Sequence, residues 1–313
     1  MRRFLTRAGG FLAIQLLVGT ALLGPYLRTG DPSVAYLAAY RDKSELLERT
    51  EGAKLVLVGG SNVALGFDSE ALSAALPYEP VNAGLMVGIG LPMMLEQVEP
   101  HLRPGDVVLL SPEYDQWAGG FDPFAVLRLL EDDPGAWRDI PVRYLPPLLD
   151  DSLSYLGQGL RAMLGRGGRP RTLPPPYSRD GFNRFGDFVR HRDLPGEEEL
   201  RGPLVVPHVD DGSLRDAVTT LNDFQHGVEQ RGITVLLSFP PLPRDVYESR
   251  EEDFQALYRY LREELRIPLL DSPEEMALPR DLFYDTIYHL NRAGLEQRTR
   301  DVIARIEDAL GGA

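Results

Sequence analysis

Lys54-Leu55-Val56-Leu57-Val58-Gly59-Gly60-Ser61-Asn62 is the stretch on which the fold turns. An unbroken apolar run reads as a buried strand, and two glycines followed by a serine end it, so the strand delivers a hydroxyl to the rim of a sheet. Glycines immediately before Ser61 let the backbone turn sharply and leave space beside the serine for a substrate. A helix that follows would aim backbone N–H groups toward developing negative charge. Ser61 is therefore a candidate nucleophile. Gly-Gly-Ser-Asn is equally a plain strand-to-helix turn by its residue types, and these nine residues alone do not separate the two readings.

The chain around this stretch alternates strand and helix. Asp68 is placed to cap a helix from Ser69 to Leu76, and Val81-Asn82-Ala83-Gly84 reads as a second strand end. A helix from Leu91 to Leu102 leads to the apolar run Asp106–Leu110, and a helix from Leu214 to Gln230 leads to a fourth strand, Ile233–Phe239. Ser249 and Glu252 form a capping-box pattern for a helix reaching Arg266, and Pro268-Leu269-Leu270 predicts a short fifth strand. A last helix from Arg292 to Leu310 has Asn291 as its cap. This order predicts an α/β fold with a mainly parallel sheet covered on both faces, whose ligands bind at the carboxyl ends of the strands. Ser61, Gly84, the Ser111–Trp117 loop and the segment Asp285–His289 all fall on that edge.

The far end supplies what a serine needs. A hydroxyl is a poor nucleophile at neutral pH, and an imidazole can take its proton if a carboxylate orients the ring. Tyr284-Asp285-Thr286-Ile287-Tyr288-His289 holds both groups four residues apart, a spacing that brings two side chains to one face of a turn.

Composition narrows the partners. The 313 residues contain 47 acidic against 33 basic side chains, a net charge of −14, which argues against nucleic acid because phosphate binding needs a basic face. Cysteine is absent, which excludes disulfides and thiolate chemistry. Arg2, Arg3 and Arg7 precede an uncharged, mostly apolar run from Ala8 to Leu27, about the length that crosses a hydrocarbon core as a helix. Basic residues on that side predict an N-terminus inside the cell and the bulk of the protein outside. Residues 1–28 are thus expected to be a transmembrane anchor or an uncleaved signal, with a cleaved signal peptide as the competing reading.

Residues 29–52 read as a polar, partly helical stalk with Tyr36, Leu37, Tyr40, Leu46 and Leu47 as an irregular apolar stripe, and residues 53–313 as the main domain. Within it, about 132–211 breaks the alternation and reads as an insertion packed over or beside the sheet, with part of it mobile. From Arg161 to Arg192 it holds eight arginines against two acids. These arginines read either as a solvated loop or as a surface for anionic headgroups or an acidic glycan. His101, His191, His208 and His226 lack a paired ligand spacing and are expected to be surface or partly buried residues, with no metal site and no cofactor. Trp117 and Phe121 read either as a sugar-stacking wall or as core.

Val58-Gly59-Gly60-Ser61-Asn62, Asn82-Ala83-Gly84, and Asp285 with His289-Leu290-Asn291 together resemble the sequence blocks of the SGNH/GDSL hydrolase superfamily, over about Lys54 to Leu310. Gly-Gly-Ser-Asn-Val-Ala-Leu-Gly-Phe-Asp, followed later by Leu-Ser-Pro-Glu-Tyr, is similar to its bacterial membrane-anchored branch, which shares architecture with cell-envelope O-acyl transfer proteins such as those of alginate O-acetylation and D-alanyl-lipoteichoic acid synthesis. The resemblance implies a flavodoxin-like three-layer sandwich around a five-stranded, mainly parallel sheet. It implies that Ser61 attacks, His289 is the general base, Asp285 orients it, and Ser61 and Gly84 offer backbone N–H groups to the oxyanion.

Three departures stand out. Gly60 replaces the aspartate of the name-giving motif. Ser111-Pro112-Glu113-Tyr114-Asp115 replaces Gly-x-Asn-Asp, so the usual oxyanion asparagine is missing; Asn62 or Asn82 is the substitute donor available, and an ionised Glu113 can only accept. Asp285 and His289 have three residues between them where two are usual. Glu113 and Tyr114 remain candidates to line the substrate pocket. The function these residues imply is an extracytoplasmic, membrane-anchored serine esterase or O-acyltransferase, acting through an acyl-enzyme on a cell-envelope glycan or lipid-linked sugar, with a membrane-bound acyl-donor partner. The alternative is an SGNH-fold binding or assembly protein of envelope polysaccharide synthesis with weak or no catalysis.

Overall fold

The computed structural model describes residues 33–163, 173 and 175–311. The expected membrane anchor at 1–28 lies outside them, as do Arg166, Arg169 and Arg171 of the insertion. Among the described residues no helix is long and apolar enough to cross a membrane.

A 3-10 turn at Tyr36–Ala38 runs into α1 (Ala39–Arg49). Then come β1 (Lys54–Gly59), the short α2 (Ser61–Ala64), α3 (Ser69–Ala75) and β2 (Glu79–Asn82). Next are α4 (Leu91–Val98), β3 (Val107–Ser111), α5 (Tyr114–Trp117), α6 (Pro123–Asp132) and α7 (Leu145–Met163). The chain ends with α8 (Gly212–Glu229), β4 (Thr234–Leu237), β5 (Leu242–Pro243), α9 (Arg244–Glu248), α10 (Glu251–Glu264), β6 (Ala277–Leu278) and α11 (Arg292–Gly311).

The main sheet is parallel, with four strands in the order β2-β1-β3-β4. The expected fifth strand is reduced to one parallel bridge, Leu237 to Leu269, because Pro268 has no N–H to extend the ladder. Alternate residues of each strand feed two separate cores. Val56, Val58, Val108, Leu110, Val235 and Leu237 join one cluster with side chains of α1, α4, α8 and α10. Leu55, Leu57, Val107, Leu109 and Leu236 face the other way, onto Leu72 of α3 and Val302 and Ile306 of α11. Helices therefore cover both faces, which is why the strands read as continuous apolar runs.

At the start of β1 the wholly buried Lys54 ammonium meets Asp106 Oδ2 at 2.9 Å, and Asp106 Oδ1 accepts the Lys54 N–H at 2.8 Å. One carboxylate thus fixes the register of β1 against the turn before β3. Asp68 and Asn291 cap their helices as expected, accepting from Glu70 N and Gly294 N. Ser249 does not: α10 begins one residue later, after Arg250, and the Ser249 hydroxyl donates to Val246 O.

The described part of the expected stalk, residues 33–52, packs into the domain. Tyr36, Leu37, Tyr40 and Leu47 are buried in the larger core. Lys43, on the same helix face, donates from Nζ to Asn82 O at 2.8 Å and to Gly186 O at 2.5 Å. The irregular apolar stripe of the expected stalk is the interior face of α1 and of the 3-10 turn before it. The insertion is equally integral: Phe188 and Asp187 are fully buried, and Asp187 accepts from Ser69 Oγ at 2.6 Å and from Asn82 Nδ2 at 2.9 Å.

Candidate active site

Ser61 follows β1 and Glu113 follows β3. The chain leaves β1 toward β2 on one side and returns to β3 on the other, so these neighbouring strands flank the topological switch point, where open α/β sheets form their ligand crevice. Ser61 Oγ donates to Glu113 Oε1 at 3.2 Å, and the Asn62 backbone N–H donates to the same oxygen at 3.0 Å. Glycine at 60 makes the contact possible: a Cβ there would lie 2.4 Å from Glu113 Oε1. A Cβ at Gly59 would fall 2.5 Å from the Ser111 carbonyl, so the paired glycines let β1 and its turn press against the end of β3.

Arg298, from α11, is fully buried beneath this turn. It donates from Nη1 to Asn62 O at 2.9 Å and from Nη2 to Ser111 Oγ at 2.7 Å, tying the ends of β1 and β3 together. Burial pulls its pKa down to about 9, offset in part by Asp271 and Glu113. Glu113 is displaced the other way: burial pushes its carboxyl above the usual glutamate range, against the lowering effects of the Asn62 N–H, His289 and Ser61.

The second half of the site sits on a turn closed by an antiparallel bridge between Phe283 and Leu290. Within it the Tyr284 N–H donates to His289 O at 2.8 Å, and Thr286 Oγ1 accepts from the N–H groups of Tyr288 at 3.2 Å and His289 at 3.1 Å. That geometry absorbs the extra residue: Asp285 Oδ1 lies 2.7 Å from His289 Nδ1. Asp285 Oδ2 accepts from the Tyr177 hydroxyl at 2.8 Å and from Arg201 Nη2 at 3.2 Å. Burial raises the Asp285 pKa, yet hydrogen bonds from His289 and Tyr177 and the charges of His289 and Arg201 outweigh it and hold the carboxyl below the usual range. With Nδ1 engaged by Asp285, the ring is left to exchange a proton through Nε2.

The two halves line one cavity of about 200 Å³, which Ser61, Asp285 and His289 share with Tyr36, Tyr177 and Arg201. Its apolar wall comes from Leu85, Met86 and Leu173. The insertion builds one side: the Arg201 N–H donates to Asp285 O, and Ile287 N–H to Arg201 O. Among the described residues, no group of three or more His, Asp and Glu side chains is placed to hold a metal ion.

Several predicted site residues are committed elsewhere. Asn62 Nδ2 donates to Ser111 O and Ser111 Oγ, and its backbone N–H is spent on Glu113. Asn82 Nδ2 donates to Val63 O and Asp187, and its Oδ1 accepts the Gly84 N–H at 3.0 Å. None of these three is therefore a free oxyanion donor in this arrangement. Tyr114 is fully buried against Phe254 and Phe239, away from the cavity, because the first turn of α5 points it into the core. Trp117 is core as well, and Phe121 stacks on Tyr144. His191 is not a surface residue: it is fully buried, 3.0 Å from Leu290 O through Nε2, and burial lowers its pKa to about 4.

Arg179, Arg184, Arg190 and Arg192 meet Asp42, Glu70, Asp180 and Asp187 respectively, so these four arginines serve internal pairing. Tyr177 and Arg201 were missed from sequence. The run of prolines before Tyr177 signals a fixed chain direction but not its target.

Comparison with protein-family models, with curated proteins and with solved structures finds no match.

Proposed function

We propose that this chain is an SGNH/GDSL-type serine esterase or O-acyltransferase on a flavodoxin-like three-layer frame, anchored in a membrane and acting on a cell-envelope glycan or lipid-linked sugar. The observation that carries the reading is the shared cavity: Ser61 faces the same 200 Å³ as a histidine whose Nδ1 is held 2.7 Å from a buried aspartate. In this mechanism the Ser61 hydroxyl turns from Glu113 into the cavity, and Oγ attacks the ester carbonyl carbon as His289 Nε2 takes the proton. Asp285 stabilises the imidazolium that forms, and Tyr177 and Arg201 keep Asp285 in place. The same proton goes to the departing alcohol oxygen, leaving an acyl group on Ser61. Water or a sugar hydroxyl, giving its proton to His289, then attacks the acyl carbon; the bond to Ser61 Oγ breaks and His289 returns the proton to that oxygen. A membrane-bound partner would deliver the acyl donor where transfer is the outcome.

One observation favours the second reading, a binding or assembly protein with this fold. Ser61 donates to Glu113 and not to His289, and the amides of Asn62, Asn82 and Gly84 are all engaged. Treating the full-length protein with a fluorophosphonate probe and with a chromogenic acetyl ester separates the two. The enzyme reading expects labelling and turnover that Ser61→Ala abolishes and His289→Ala strongly reduces. Absence of both across the pH range in which the protein is folded favours the binding reading.

A further inference from the structure

Among the described residues, four of the seven large apolar side chains left in water fall between 137 and 149. Trp137 is 65% exposed, Val142 80%, Leu145 45% and Leu149 70%. Single apolar residues scattered over a surface need no explanation, but a cluster does. Val142, Leu145 and Leu149 succeed one another at spacings of three and four through the 3-10 turn Val142–Tyr144 and the first turns of α7, so they share a face. Tyr144 and Leu148, on the other side of the same segment, already make its core contacts. Trp137 stands in the preceding 3-10 turn, Pro134–Asp139.

The position of the N-terminal segment selects what covers this face. Tyr40 in α1 donates its hydroxyl to Asp139 Oδ2 at 2.9 Å, two residues from Trp137. Six residues earlier Val34 is 52% exposed, one residue ahead of the extended Ala35 that leads into the 3-10 turn before α1. The described chain therefore begins, at Ser33 and Val34, near the flank that presents Trp137, and in sequence the uncharged run Ala8–Leu27 ends six residues before Ser33. An exposed tryptophan together with a small aliphatic face suits a bilayer interface, where an aromatic ring sits at headgroup level and aliphatic side chains reach the acyl boundary.

We infer that the face formed by Trp137, Val142, Leu145 and Leu149 rests on the lipid bilayer to which the N-terminal segment tethers the chain, so that the domain lies on the membrane instead of standing clear of it. The inference rests on the membrane-anchored reading proposed above. Tethering supplies a high local concentration of bilayer, so a small apolar face suffices. The N-terminal flank also opens a cavity of about 680 Å³ lined by Val34 and Arg128, which shares Tyr36, Leu173 and Tyr177 with the Ser61 cavity. A lipid-borne substrate would thus reach Ser61 from the membrane side.

The chain's two tryptophans make the test direct, since Trp117 is wholly buried and Trp137 is not. Full-length protein is reconstituted into phosphatidylcholine–phosphatidylglycerol vesicles with and without acyl-chain-brominated lipid. Seating at the interface puts Trp137 within reach of the bromines, with a roughly twofold loss of its emission, while Trp137→Phe protein is unaffected. Leu145→Glu combined with Leu149→Glu, both at exposed sites, reduces the quenching and opens Trp137 to aqueous iodide. A chain that floats with the vesicles but keeps Trp137 open to iodide and insensitive to bromine overturns the inference and leaves the anchor standing. Failure to float removes both. Shielding from both quenchers means that protein, not lipid, covers the face, and overturns the inference as well.

Discussion

The hydroxyl of Ser61 donates to Oε1 of Glu113 at 3.2 Å, so the candidate nucleophile rests against a fully buried carboxylate. That carboxylate also accepts the Asn62 N–H, which fixes the turn after β1. Its position explains the replacement of Gly-x-Asn-Asp at the end of β3. The residue there holds the serine loop from behind and offers no donor to a substrate while ionised.

Glu113 should make its own pH signature. Its folded pKa is raised, chiefly by burial, so just above the ordinary glutamate range the native state binds more protons than the unfolded chain. Stability therefore falls as pH rises through that window. Glu113→Gln keeps an acceptor for Ser61 and Asn62 and has no proton to lose, so urea midpoints measured across the window should flatten relative to wild type. Glu113→Ala leaves the Asn62 N–H unpaired and should cost about 1–3 kcal/mol at any pH.

Gly60 and Gly59 should respond differently to the same added methyl group. The Gly60 φ of −79° suits any residue, so its requirement is space. Gly60→Ala pushes Glu113 off Ser61 and Asn62, with a loss of about 1–3 kcal/mol and a changed rate of fluorophosphonate labelling. Gly59→Ala meets the Ser111 backbone 2.5 Å away, which cannot swing aside, so its larger effect should be on melting temperature.

Asp285 is held below the usual carboxylate range by His289, Tyr177 and Arg201 in spite of its burial. A depressed carboxylate contributes stability that is fully present above its unfolded pKa and is lost as pH falls through the folded value. Asp285→Asn should therefore remove part of the acid sensitivity of unfolding, seen as a smaller drop in urea midpoint on acidification. It also offers Nδ1 of His289 a donor instead of an acceptor, and labelling of Ser61 should fall by roughly 10²–10⁴-fold. Tyr177→Phe, which keeps the aspartate, should cost about 1.5–3 kcal/mol, the range for a hydrogen bond to a charged group, with a much smaller loss of labelling than Asp285→Asn.

What the sequence made legible follows from how far each signal reaches. Ser61, Asp285 and His289 were visible because strand ends and short spacings are local, and a parallel sheet brings strand ends to one edge. The contact between Ser61 and Glu113 was not, since it depends on the register of β1 against β3 and on the space at Gly60. Tyr177 enters from a segment with no periodicity and is placed by stacking on Phe188 and by its edge contact with Tyr36. The stalk expectation failed for a related reason. The apolar stripe of α1 is irregular because one position of its interior face is Lys43, which is buried with its ammonium turned onto two carbonyls.

Lys43 gives the last expectation. Burial lowers its pKa to about 7, with Asp187 and Asp42 opposing, while Nζ donates to Asn82 O and Gly186 O. Between about pH 7 and the ordinary lysine value the unfolded chain binds the extra proton, so Lys43 makes stability rise with pH across that interval. Lys43→Met preserves the stem and removes the titration, so the variant's urea midpoint, subtracted from that of wild type, should show the wild type gaining as pH increases. The variant also leaves two carbonyls unpaired, a cost of about 1–3 kcal/mol. Because those carbonyls join the strand end at Asn82 to the insertion at Gly186, the loss should loosen the Asp187 contacts behind the serine loop. Amide exchange at Ser69, whose N–H donates to Asp187 Oδ2 at 3.0 Å, should then quicken in Lys43→Met. Unchanged exchange there would separate Lys43 from the architecture of the site.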